Sequence, residues 1–223
     1  MERRAQLVDT ANFKQIKGKA TPQDFEALSY LSQVLSLSSS LAASDPSSLF
    51  QDKFSQLKEA KYAISHLSSR DLLRRDYKQY SSENGYRYGL SSVPMSFDDW
   101  SERDGWEGIM SASQAWAEER SLDIVGILTS YTRTTKKNNQ KGRREAFLYY
   151  TRRDLMSVSN TLVEDFREQL DLVRWKSEKP HPDLDHKDNG NFSLWTQGNP
   201  DATRKAFAPA MANAVSRLVP NAV

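Results

Sequence analysis

Near Asp76 the apolar spacing of this chain changes from the three-to-four-residue rhythm of helices to aromatic and β-branched runs, and any fold must accommodate both. Asp76 to Tyr80 and Tyr86 to Val93 flank Ser82-Glu83-Asn84-Gly85, the composition of a hairpin turn, so two antiparallel strands are expected there. Leu122 to Tyr131 is an apolar run long enough for a central strand, and Glu145 to Thr151 is expected to pair with it. Shorter strands are expected around Leu170 to Trp175 and Phe192 to Trp195. Helical spacing occupies the intervals. Thr21-Pro22-Gln23-Asp24 caps a helix to about Leu37, and Asp45-Pro46 caps a second carrying Phe50, Phe54, Leu57 and Ile64. A short helix runs through Arg70 to Arg74, and Ser96-Phe97-Asp98-Asp99 caps one that keeps Trp100, Ile109 and Trp116 inward. Two more are expected from about Met156 to Gln169 and from Ala202 to Val219. This pattern predicts an α/β (α+β) fold with a mixed sheet flanked by helices.

With 38% hydrophobic and 10% aromatic residues in 223, the chain can bury a core and is not a disordered polymer. The lack of cysteine removes disulfide frameworks, thiolate metal sites and cysteine nucleophiles, and suits a reducing compartment; a cytoplasmic, membrane-free protein is the expectation. Net charge is only +2, but the charges are segregated. Tyr131 to Arg153 carries eight basic residues against Glu145 alone, whereas Ser96 to Asp123 carries eight acids against Arg103 and Arg120. A basic loop of that density from Lys136 to Arg144 points to an anionic partner or simply to a solvated face.

Three separated segments can carry chemistry. Val8-Asp9-Thr10 puts an acid at a strand end, a place for a metal ligand or for a loop cap. Asp76-Tyr77-Lys78 puts a lysine at the start of a strand. Thr203-Arg204-Lys205 puts two cations in the first turn of a helix, where the backbone NH groups and the positive end of the helix dipole also favour an anion. His181-Pro182-Asp183-Leu184-Asp185-His186-Lys187-Asp188 has metal-ligand residue types, but sits in a Pro-, Asn- and Gly-bearing loop with no matching ligand pair elsewhere. His66 is expected to be a packing or capping residue.

In their order these segments resemble the DHH phosphoesterase superfamily, in the branch of family II inorganic pyrophosphatases and eukaryotic exopolyphosphatases. Leu7-Val8-Asp9-Thr10-Ala11-Asn12-Phe13-Lys14 is similar to the last motif of the DHH catalytic domain, in which the Asp is a metal ligand. The remainder is similar to the DHH-associated domain of the second type. Asp76-Tyr77-Lys78 resembles its Asp-x-Lys strand start, whose Lys contacts phosphate, and Thr203-Arg204-Lys205-Ala206 its Ser-Arg-Lys-Lys/Gln helix start. Gly89-Leu90-Ser91-Ser92-Val93-Pro94 and Gly126-Ile127-Leu128-Thr129-Ser130 are closer to the exopolyphosphatase side.

The resemblance implies residues 1–67 as a remnant of the catalytic domain with connecting helices, and 68–223 as the substrate-binding domain. It implies metal-dependent hydrolysis of phosphoanhydrides, with magnesium, manganese or cobalt, acting on inorganic polyphosphate or pyrophosphate. Asp9 would be one metal ligand, Lys78, Arg204 and Lys205 the phosphate clamp, and Arg143 and Arg144 weaker contributors. The defining Asp-x-Asp strand end and Asp-His-His motif do not occur in these 223 residues, so this chain is expected to supply the clamping half and to be inactive alone. The alternative is a non-catalytic polyphosphate-binding or protein-interaction domain; nucleic acid ranks last, for want of an aromatic platform. The clamp cations are expected to gather without a carboxylate partner, and the apolar faces of the first two helices, such as Phe25, Leu28 and Phe54, to be partly exposed.

Overall fold

The computed structural model describes residues 10, 12, 13, 20–34, 51–134, 140–177 and 191–220. Asp9, Lys136, Lys137, the serine-rich stretch 36–48 and the run 181–188 lie outside the described residues. The chain divides into two compact units, 1–66 and 67–223. In the first, α1 (Pro22–Val34) and α2 (Gln51–Tyr62) are described. Asp24 closes the start of α1 by accepting from the backbone NH and hydroxyl of Thr21, both at 2.8 Å. Leu28 is not exposed: it is buried with Phe13 against Phe25 and Leu57, while Phe25 and Phe54 are half-buried. His66 is exposed rather than packed into a core.

Among the described residues the second unit is built on one mixed sheet of seven strands. Its elements are α3 (Ser69–Arg75), β1 (Tyr77–Ser81), β2 (Arg87–Val93), α4 (Phe97–Arg120), β3 (Ile124–Thr129), β4 (Tyr131–Thr134) and β5 (Gln140–Tyr150). A 3₁₀ turn (Arg153–Met156), α5 (Ser157–Asp165), α6 (Arg167–Leu170), β6 (Leu172–Arg174), β7 (Phe192–Gln197) and α7 (Arg204–Ser216) follow. The strand order is β1-β2-β3-β5-β7-β6, with β4 paired to the outer part of β5. Among the described strands only β2 and β3 run parallel; the other pairs are antiparallel.

Strand alternation sorts the side chains into two layers. Leu90, Ile124, Leu128, Ala146 and Leu148 face a core shared with Val158 and Leu162 of α5 and Phe207, Ala210 and Met211 of α7. On the opposite face Phe147 meets Phe97 of α4 at 5.9 Å between ring centroids, and Tyr77 meets Trp116 edge-on at 5.1 Å. Trp100, Trp106 and Trp116 are all buried. α4 is kinked at Gly105, whose φ of 73° is a conformation that glycine adopts without the Cβ penalty.

Two expected elements need correction. The helix expected over Met156 to Gln169 is split at Phe166, whose φ of −110° and ψ of 22° leave the helical region, into α5 and the short α6. The basic segment is not a loop up to Arg144: β5 continues as a ladder with β4 from Gln140, Tyr131 facing Arg143 and Arg133 facing Lys141. Charged side chains are tolerated there because this ribbon is largely exposed.

Candidate functional site

The sheet brings one end of five strands together. Tyr77 at the start of β1 is opposite Ser91 near the end of β2, and Val93 is beside Thr129 at the end of β3. Leu128 is opposite Ala146, and Arg144 is opposite Gln197 at the end of β7. Lys78, Arg143, Arg144 and the chain leading into α7 therefore all belong to the end of the sheet where the parallel pair presents its carboxyl termini, the usual place for a ligand crevice in such sheets.

α7 is fastened over this arrangement at both ends. At its start the Arg204 guanidinium donates from one terminal nitrogen to the Asp76 backbone carbonyl at 2.8 Å and forms an ion pair from the other to Oδ1, also at 2.8 Å, across 128 residues of sequence. At its far end Asn84, in the β1–β2 turn, donates to the carbonyls of Val215 and Leu218 at 2.9 and 3.0 Å. The helix thus runs alongside β1, with its first turn at the start of that strand. Thr203 caps it, its hydroxyl accepting from the NH of Lys205 at 3.3 Å. Lys78 lies on the α7 side of the sheet, because its partner Leu90 packs into the core that α7 covers. Lys78 and Lys205 are exposed and make no ion pair among the described residues.

The start of β1 and the start of α7 thus present three cations and a helix N-terminus, without the expected lack of a carboxylate: Asp76 is paired with Arg204. Its backbone neighbourhood explains the contact. The strand-entry carbonyl and the side chain of the residue that ends α3 point at the same guanidinium fork. Asp76 was in the sequence signal, but nothing in sequence pairs it with a residue so distant.

The two remaining cations part company, since adjacent strand residues face opposite ways. Arg144 is on the α7 side, but its Nε donates to the Pro200 carbonyl at 2.6 Å. Burial lowers its pKa below the ordinary arginine value, opposed by the charge of Asp201. It braces the turn that delivers α7, together with the buried Gln197, whose amide donates to the carbonyls of Asn199 and Ala202 at 2.7 and 2.6 Å. Its strand is three spacings, ~14 Å, from that of Lys78. Arg143 is exposed on the α4 side, with Tyr131 opposite. Gln197 has no sequence signature.

On that other side lies a network that sequence reasoning missed. Glu145, only 4% exposed, accepts from the Phe97 NH (2.8 Å), the Tyr131 hydroxyl (2.8 Å) and the Trp175 indole NH (3.0 Å). Burial raises its pKa despite these donors, and the nearby charge of Asp98 adds to the rise. Asp98, 1% exposed, pairs with Arg133 at 3.2 Å and accepts from the Ser177 hydroxyl at 2.5 Å. The network ties the base of the basic ribbon to the start of α4. Among the described residues no group of three or more His, Cys, Asp or Glu could hold a metal ion.

Residues 55–214 match the family model of the DHHA2 domain. The chain belongs to the DHHA2 family. Its Asp76, Lys78, Arg204 and Lys205 all fall inside the matched region. Among curated relatives, a candidate exopolyphosphatase of Schizosaccharomyces pombe is 29% identical over 95% of this chain and 48% of its own length. Exopolyphosphatase PRUNE1 of Bos taurus is 25% identical over 94% of the chain and 41% of its own length, and that of Homo sapiens is 23% identical. This DHHA2 chain thus spans less than half the length of these relatives. The crystal structure of a candidate family II inorganic pyrophosphatase from Methanococcus jannaschii superposes with a TM-score of 0.46 at 16% identity, covering 94% of this chain and 52% of that one. No helix among the described residues is long and apolar enough to cross a membrane.

Proposed function

We propose that this chain is the phosphate-clamping part of an exopolyphosphatase-type hydrolase of phosphoanhydride bonds, and that it holds inorganic polyphosphate or pyrophosphate with Lys78, Arg204 and Lys205. The observation that carries the proposal is the double contact of Arg204 with Asp76, which sets the first turn of α7 beside the strand bearing Lys78. Phosphate oxygens suit such a place. The planar guanidinium offers donors in a fork, the ammonium groups offer point charges, and the helix N-terminus adds a fixed partial positive charge. The names of the relatives support the substrate class.

The family chemistry calls for divalent metal, magnesium, manganese or cobalt, which supplies an activated water and neutralises phosphate charge. The described residues do not form such a centre by themselves, and Asp9, the proposed ligand, is not among them. The clamp binds substrate and transition state nearly alike, so it contributes affinity more than rate. Cytoplasmic action without a membrane or nucleic-acid partner completes the proposal. The test is phosphate release from tripolyphosphate with each metal, alongside calorimetric binding. The chain alone is expected to bind and not to turn over. Robust turnover abolished by Asp9→Asn would overturn the division of labour, and absence of binding would overturn the clamp.

A further inference from the structure

We propose that Asp76 is a positioning residue for anion recognition: it holds the Arg204 guanidinium in its working orientation, and so strengthens phosphate binding although its own charge opposes it. This rests on the clamp reading above. A carboxylate beside a phosphate site ought to weaken it, since a negative charge within several ångströms repels the ligand. The geometry points the other way. Arg204 donates one N–H to the Asp76 backbone oxygen at 2.8 Å, and its other terminal nitrogen lies 2.8 Å from Oδ1 in an ion pair. Of the five guanidinium N–H groups the hydrogen bond takes one. The others lie in a plane that the hydrogen bond and the ion pair together fix. The side chain of Arg204 is only 20% exposed against 52% for Asp76, so it is the arginine that is confined and the acid that remains wet.

Both anchors come from a residue that is itself fixed. Asp76 ends α3, and its carbonyl also accepts from the Ser92 NH at 2.9 Å, which locks it to the end of β2. An arginine held this way has already lost most of its rotamer freedom before a ligand arrives. A free one would lose that freedom on binding, which weakens affinity. The backbone anchor alone leaves the guanidinium free to turn about a single contact. The carboxylate is what makes the plane definite.

Two substitutions separate orientation from charge, because both remove the same negative charge. Asp76→Asn keeps an oxygen at Oδ1 to accept from Arg204, whereas Asp76→Ala keeps none. Calorimetry with tripolyphosphate is the measurement, at low ionic strength, with thermal unfolding of each ligand-free variant as a check on the fold. If Asp76 positions Arg204, Asp76→Asn binds as tightly as wild type or a few-fold more tightly, and Asp76→Ala binds about tenfold more weakly than Asp76→Asn. If Asp76 were only a competing charge, both variants would bind more tightly and by the same factor, which would overturn the inference. Arg204→Ala distinguishes that failure from failure of the clamp itself: if it binds like wild type, the site is elsewhere. If it loses affinity while the two Asp76 variants agree, the clamp stands and the positioning role does not. In the background of Arg204→Ala, the difference between the Asn and Ala variants must vanish; its persistence would also refute the mechanism.

Discussion

Replacing Glu145 should reveal how tightly the base of the basic ribbon is tied to α4. Its Oε1 accepts from Tyr131 and Trp175 and its Oε2 from Phe97. Glu145→Gln leaves one oxygen and turns the other acceptor into an NH₂. Whichever way the amide lies, an N–H that cannot reverse its role, of either Trp175 or Phe97, then faces another donor. One such buried mismatch costs about 1–2 kcal/mol, and Glu145→Ala, which deprives all of these donors at once together with the Thr129 hydroxyl at 3.4 Å, about 3–5 kcal/mol. For a unit of this size the glutamine variant should lower Tm by about 3 to 8 °C.

The pH dependence follows from the raised pKa. The folded protein holds the Glu145 proton more tightly than the unfolded chain, so this group's contribution is fully present below the unfolded value of 4.5 and is lost as pH rises through the folded value. The glutamine variant has no such dependence at this position. The stability gap between wild type and Glu145→Gln should therefore widen as pH is lowered from 7.5 toward 5, measured by urea unfolding at each pH. A gap that narrows over that range would refute the claim that burial outweighs the hydrogen-bond donors.

Asp104 behaves in the opposite sense, since donation from Arg103, with further bonds from Ser69 and Trp100, holds its pKa down to about 2. Its contribution, about 1 kcal/mol after allowing for its partial exposure, should be present above the unfolded value of 3.8 and lost as pH falls toward 2, so urea unfolding of Asp104→Asn should differ from wild type at pH 6 and converge with it in acid. Asn84→Ala removes two anchors from the end of α7 and should cost about 1–2 kcal/mol, with faster amide exchange over residues 212–218 but unchanged anion binding. Gly126→Ala would press a methyl group into Leu90 and against Leu148 at 3.1 Å, and should destabilise by about 1–3 kcal/mol in thermal unfolding.

Much of the sheet was legible because its signals are local. The hairpin of β1 and β2 shows in strand alternation on either side of Ser82-Glu83-Asn84-Gly85, and α4 in a cap realised as Ser96 accepting from the Asp99 NH at 3.1 Å. The start of α7 was legible for the same reason. What sequence hid depends on register. Arg143 and Arg144 look like one charge cluster, yet the pleat sends them to opposite faces and gives Arg144 to Pro200. Glu145 looks like a stray acid in a basic run; only the fold surrounds it with Phe97, Tyr131 and Trp175. The pairing of Asp76 with Arg204 is invisible for the same reason, and it replaced an expected array of unpaired cations with a braced one.

The central claim, that the start of β1 and the start of α7 form one phosphate clamp, is tested most directly by calorimetric titration of tripolyphosphate into wild type, Lys78→Ala, Arg204→Ala and Arg143→Ala at low and moderate ionic strength. Each of the first two substitutions should weaken binding by about ten- to a hundredfold, the loss of a charge-assisted hydrogen bond, while Arg143→Ala, on the other face, should weaken it less than about threefold. Affinity should fall as salt is raised. Equal losses from all three would mean that polyphosphate is attracted to net charge alone, and the clamp would be contradicted.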